Sequence, residues 1–121
     1  MERELENGVT AFIWIEAEGK YQGCLVLNGG ELSSLGPMLE NAYRSPEKTL
    51  ELMKLKCVKR LEASPSQCEQ VDSDVQSPCG ASLMTTQSRE ADYVYVYANG
   101  LWNVGALSRQ PLNELLKFVS R

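Results

Sequence analysis

The sequence predicts an α+β domain: an antiparallel four-stranded sheet made from two hairpins, with about three helices, in the order β-β-α-α-loop-β-β-α. Three observations predict it. Two pairs of β-branched and aromatic runs flank the turn signals Glu18-Gly19 and Asn99-Gly100. Apolar residues at helical spacing follow each hairpin. Strands and helices do not alternate one for one, so a parallel βαβ sheet is not expected. With 121 residues, 43% of them hydrophobic and 23% charged, the chain has the size and composition of one packed domain spanning 1–121.

The first hairpin pairs Ala11–Ala17 with Tyr21–Asn28. A two-residue turn at Glu18-Gly19 sets Trp14 opposite Gly23 and Phe12 opposite Leu25, so the indole covers backbone that the glycine leaves bare. Ile13, Ile15, Cys24 and Val26 fall on the other face.

Asn28-Gly29-Gly30-Glu31 then breaks the strand. It resembles a phosphate-cradling loop in glycine content alone and lacks a G-x-G-x-x-G or Gly-Lys-Ser pattern, so a structural turn is the better reading. Leu32, Leu35, Leu39 and Tyr43 recur at helical spacing, with Pro37 predicted near the helix start. Ser45-Pro46-Glu47 opens a second helix: a capping serine, a proline at the first position and an acid in the first turn. Leu50, Met53 and then Cys57 or Leu61 are its expected buried stripe.

Residues 64–88, rich in Ser, Gln, Asp and Pro, read as a long flexible loop. Ala91–Tyr97 is the plainest strand, and Asn99-Gly100 is the strongest hairpin signal in the chain. The turn register pairs Ala98 with Leu101, Tyr97 with Trp102 and Tyr95 with Val104. Pro111 opens a last helix whose stripe is Leu112, Leu115, Leu116 and Val119.

Several chemistries are disfavoured. Histidine, the commonest general base and metal ligand, is absent. A net charge of −4 has the wrong sign for a non-specific nucleic-acid binder, and the dispersed charges do not suit a polyanion mimic. Cys24, Cys57, Cys68 and Cys79 lack paired zinc spacing, so no metal and no cofactor is expected. Met1–Asn7 is charged rather than signal-like, and no segment reaches the ~18–20 apolar residues of a membrane span, which together predict reduced thiols in a cytoplasm. The acid pairs Glu16 with Glu18 and Glu40 with Glu47 read as solvated surface.

Tyr93, Tyr95 and Tyr97 share one strand face, with Trp102 beside them. Val94 and Val96 suit the last helix in volume, so the tyrosine face is expected to stay accessible and to serve, with Trp14, as a binding surface. A host protein or a second copy is the expected occupant. A small enzyme using a carboxylate, Cys24 or Cys57 is the alternative, and a self-assembling structural module is the third.

Gly19, Tyr21, Gly23, Gly30, Gly36, Leu39, Tyr43, Pro46-Glu47-Lys48, Leu52 and Leu61, with the closing run Tyr93–Trp102, resemble a family of small uncharacterised bacteriophage and prophage proteins over about half the chain. Where that family usually carries His-Trp-Asp-Gly-Tyr at the end of the second strand, this chain has Leu27-Asn-Gly-Gly-Glu31. The resemblance implies a phage or prophage origin and the bacterial cytoplasm. Together with the missing catalytic constellation and the surplus of apolar sheet surface, it makes a non-catalytic accessory protein that binds and modulates a host protein the leading expectation.

Overall fold

The computed structural model describes residues 8–119. In chain order the elements are β1 (Ala11–Ala17), β2 (Lys20–Asn28), α1 (Leu32–Ala42), α2 (Pro46–Met53), β3 (Cys57–Arg60), α3 (Ala81–Ser88), β4 (Tyr93–Ala98), β5 (Leu101–Val104), β6 (Gln110–Pro111) and α4 (Leu112–Val119). The charged start at 1–7 lies outside the described residues, as does the side chain of Val119.

Both hairpins form in the expected register. Glu18 and Gly19 (φ 54 and 79) and Asn99 and Gly100 (φ 55 and 77) are two turns of one kind, with both central residues left-handed. Such turns match the right-handed twist of the strands they join. Trp14 pairs with Gly23 and Tyr97 with Trp102. A Cβ on Gly23 would collide with the Trp14 ring, so this glycine is a packing requirement rather than a flexible point.

The sheet is not the four-stranded antiparallel one that the pattern predicts. It has six strands in the order β3-β2-β1-β4-β5-β6, and it is mixed. β1 runs parallel to β4 (Ala11 beside Tyr93, Ile15 beside Tyr97), which joins the two hairpins through their first strands. β3 runs parallel to β2, with Leu25 beside Cys57. β6 adds a two-residue edge to β5. Four helices, not three, are present among the described residues.

β3 replaces what the spacing Leu50, Met53, Cys57, Leu61 suggests as a continuing helix. α2 does begin as expected, with Ser45 Oγ accepting the Lys48 N–H at 3.3 Å. It ends at Met53, and Lys56 at φ 64 turns the chain into β3. Its buried residues are Thr49, Leu52 and Met53, whereas Leu50 is 42% exposed. α1 also departs from expectation, because it starts at Leu32 and carries Pro37 inside it. The proline removes one intrahelical bond, the one to Ser33, on an exposed stretch of the helix. Gly36 faces α4, and a Cβ there would lie 2.8 Å from Leu116 Cδ2, so this helix crossing needs a bare backbone.

Each face of the sheet has its own core. On the first, Ile13, Ile15, Val26, Val58, Tyr95, Tyr97 and Trp102 pack against Leu35, Leu39, Tyr43, Leu52 and Leu112 of α1, α2 and α4. On the second, Phe12, Trp14, Tyr21, Val96 and Ala98 pack against Val75, Cys79 and Met84. The stretch read as a flexible loop thus supplies the second cover. It contains α3 and a short 3-10 turn at Pro65–Gln67, and Cys79 pairs its backbone with Tyr21 in both directions at 2.8 and 2.9 Å.

Candidate functional site

The tyrosine face is closed, which overturns the expectation that it stays accessible. Tyr95, Tyr97 and Trp102 are buried, and Tyr93 is half-buried and stacked on Tyr95 at 6.3 Å between centroids. Each buried polar tip is used. Tyr95 Oη donates to the Gly30 carbonyl at 2.8 Å, just before α1. Tyr97 Oη donates to the Arg44 carbonyl and Trp102 Nε1 to the Tyr43 carbonyl, both at 2.8 Å, just after α1. The aromatic ladder therefore clamps the two ends of α1 to the sheet. A buried carbonyl at a helix end needs a donor, and these side chains supply it. Burial first, then the charges of Tyr93 and Glu31, pushes the Tyr95 hydroxyl well above its usual range.

Trp14 does the same on the second face. It stacks on Phe12 at 4.7 Å, and Nε1 donates to Ser88 Oγ at 2.9 Å. Ser88 Oγ in turn donates to the Met84 carbonyl at 2.7 Å, which fixes α3 over the sheet. The last helix does not dock on Val94 and Val96, because those side chains face this second cover.

Asn28, Gly29, Gly30 and Glu31 are the structural turn the pattern suggests. Asn28 Nδ2 donates to the Lys59 carbonyl at 3.3 Å. Gly29 is left-handed at φ 74 with the Arg60 guanidinium over it. The Gly30 N–H donates to the Val9 carbonyl at 2.9 Å, and the Glu31 carbonyl accepts from Ser34 and Leu35 to begin α1.

All four cysteines are unpaired, and burial raises every thiol above its ordinary pKa. A thiol held neutral is a weak nucleophile, which weakens the case for chemistry at Cys24 or Cys57. Glu16 pairs with Arg109 at 3.6 Å and Glu40 with Arg44 at 3.9 Å, so neither carboxylate is set up as an acid–base partner to another. Among the described residues no group of three His, Cys, Asp or Glu side chains is placed to hold a metal. No helix among them is long and apolar enough to cross a membrane.

One concave surface lies where the sequence suggested only a loop. Residues 72–76, α3 and the sheet enclose an open cleft of about 480 Å³. It is lined by the buried Phe12 and Val75, the half-buried Leu25 and the exposed carboxylates Asp72, Asp74 and Glu90. None of these three carboxylates forms an ion pair among the described residues. The wall is built by Gln76 and Gln87: the Gln76 N–H donates to Gln87 Oε1 at 3.0 Å, and Gln87 Nε2 donates to the Gln76 carbonyl at 2.9 Å. The sequence signal was Asp72-Ser-Asp74, hidden in a polar stretch. The sheet edges offer less. Glu69 and Val71 bond to β3 at 2.9 Å each, and Pro111 blunts the other edge, so an added strand would find few free groups. Comparison with protein-family models, with curated proteins and with solved structures gave no match to the chain.

Proposed function

We propose that the chain is a non-catalytic accessory protein that binds another protein by seating a basic segment in the acid-rimmed cleft. One observation carries the reading: Asp72, Asp74 and Glu90, which form no ion pair among the described residues, line one open cleft together with Phe12, Leu25 and Val75. A Lys or Arg side chain matches that arrangement, with its aliphatic stem on Phe12 and Val75 and its charge among the acids. The resemblance to phage and prophage proteins makes a host cytoplasmic protein the expected partner. Burial of the thiols weighs against the cysteine-enzyme alternative.

The test compares immobilised wild type, the triple variant Asp72→Asn/Asp74→Asn/Glu90→Gln and the control Glu114→Gln in bacterial lysate at low and high salt. The reading predicts a stoichiometric partner on wild type and control that is absent from the triple variant and weakened by salt. Equal capture by all three variants, or capture by none, would remove the cleft from the account.

A further inference from the structure

Asn-Gly occurs three times in the chain, at Asn7, Asn28 and Asn99, and Asn7 lies outside the described residues. The pair matters chemically because glycine puts no side chain in the way of its own backbone nitrogen. That nitrogen can then attack the carboxamide carbon of the asparagine before it. The structure sets the other two pairs in opposite situations. Asn28 closes β2 opposite Arg60, is buried, and donates from Nδ2 to the Lys59 carbonyl at 3.3 Å. A Cβ on Gly29 would lie 3.2 Å from the Arg60 guanidinium carbon, so this junction is also shielded. Asn99 and Gly100 are both exposed, and the Asn99 carboxamide makes no hydrogen bond among the described residues. Nothing lies within 4 Å of where a Gly100 Cβ would stand.

Backbone geometry favours the same site. Closing a five-membered imide needs the Gly100 nitrogen brought round beside the Asn99 Cβ, at ψ about −120; with φ about +60 this is the first central position of a type II′ turn. Asn99 already holds φ 55. Rotating the single peptide plane between Asn99 and Gly100 reaches that form, because glycine accepts either sign of φ and both turn types suit a two-residue hairpin. The strands stay where they are. Asn28 reaches the same ψ only by leaving its pairing with β3.

We propose that Asn99 is a site of spontaneous covalent modification in the folded protein, and that the fold keeps Asn28 intact. The Gly100 nitrogen loses its proton and bonds to Asn99 Cγ as the Cγ–Nδ2 bond breaks and ammonia leaves. Water then opens the imide. Cleavage of the new N–Cγ bond gives aspartate, and cleavage of the original peptide N–C bond gives isoaspartate, whose side-chain carbon enters the main chain. Either product adds one negative charge. Isoaspartate also lengthens the turn that pairs Ala98 with Leu101 and Tyr97 with Trp102. It thereby loosens the hairpin that carries the Trp102 bond to the Tyr43 carbonyl.

Site-resolved peptide mass spectrometry, after incubation of the native protein in mildly alkaline buffer, tests this. Asn99 should convert to aspartate and isoaspartate about tenfold or more faster than Asn28, and in concentrated urea the two rates should converge, since only the fold separates the sites. Asn99→Gly keeps a turn sequence that tolerates both left-handed positions and removes the reacting carboxamide, while Asn7 and Asn28 remain. Aged wild type should show a lower urea midpoint in the fraction containing isoaspartate, whereas Asn99→Gly treated alike should keep its own midpoint. Asn99 left intact in the native protein while it reacts in urea, or Asn28 converting as fast as Asn99 in the native state, would overturn the proposal. An isoaspartate fraction as stable as fresh protein would overturn the effect assigned to the hairpin.

Discussion

The two faces of the sheet are covered by two kinds of chain. The first face is closed by α1, α2 and α4, whose leucines recur at helical spacing and whose ends are tied down by Tyr95, Tyr97 and Trp102. The second is closed by a polar segment of which only Val75, Cys79, Met84 and Ser88 dip below the surface. Both use the same device, a strand aromatic whose polar tip reaches into its cover: Tyr95 to Gly30 on one side and Trp14 to Ser88 on the other. A cover therefore does not need an apolar stripe. A few buried side chains, the Trp14–Ser88 hydrogen bond and the backbone pair between Cys79 and Tyr21 hold it where the sheet supplies the large aromatics.

The largest expected effect tests whether the second face is a true core. Tyr95→Ala and Trp14→Ala each delete a fully buried aromatic, and each should cost about 3–5 kcal/mol in urea denaturation. A Trp14 variant that loses less than about 1 kcal/mol would mean that the second cover is loosely laid and the comparison fails.

Polar tips give a smaller, sharper contrast. Ser88→Ala leaves the Trp14 indole N–H buried without an acceptor and should cost about 1–3 kcal/mol. Tyr95→Phe removes the donor instead and leaves the Gly30 carbonyl bare, for about 1 kcal/mol. Equal stability of wild type and Ser88→Ala would show that the indole does not hold α3.

Titration separates the faces from solvent. The four thiols are raised above 9.0, and Tyr43 and Tyr95 above 10.0, burial being the first cause in each case. Groups whose pKa rises on folding favour the folded state below their unfolded pKa and cease to do so as pH climbs through the folded value. Their contribution should be constant below about pH 8 and should fall from about pH 9 upward, read as a lower urea midpoint at about pH 10.5. A midpoint that rises over that interval would contradict the burial of these groups.

The smallest effect has the opposite sign. Lys56 holds a left-handed conformation at φ 64, where a side chain is strained. Lys56→Gly should stabilise the domain by up to about 1 kcal/mol, measured as a higher thermal midpoint. A loss would mean that the lysine side chain makes compensating contacts.

Local chemistry was legible in the sequence and long-range pairing was not. Both turns, every hairpin pair and the Ser45 cap could be read because each depends on a few adjacent residues. The parallel β1–β4 pairing depends on residues 82 apart, such as Ala11 and Tyr93, for which no local pattern exists. A clue was present in Ala11-Phe-Ile-Trp-Ile15, apolar at every position, which is the mark of a central strand buried on both faces. β3 was missed because Leu50, Met53, Cys57 and Leu61 mimic a helical period, and the turn at Lys56 carries no glycine. Trp14, Tyr95, Tyr97 and Trp102, read from the sequence as an accessible binding surface, are buried. The alternation of faces was read correctly, but the tyrosine face was expected to stay open because the polar segment was not seen as the cover of the other face, and the cleft was missed for the same reason.

The central claim is that residues 71–88 close the second face as an integral part of the fold. Native-state hydrogen exchange at the Cys79 amide tests it most directly, since that N–H donates to the Tyr21 carbonyl at 2.9 Å. The account predicts that Cys79 exchanges as slowly as the amides shared by β1 and β2, opening only with the whole domain. Exchange at the rate of an unstructured peptide, with β1 and β2 still protected, would contradict it.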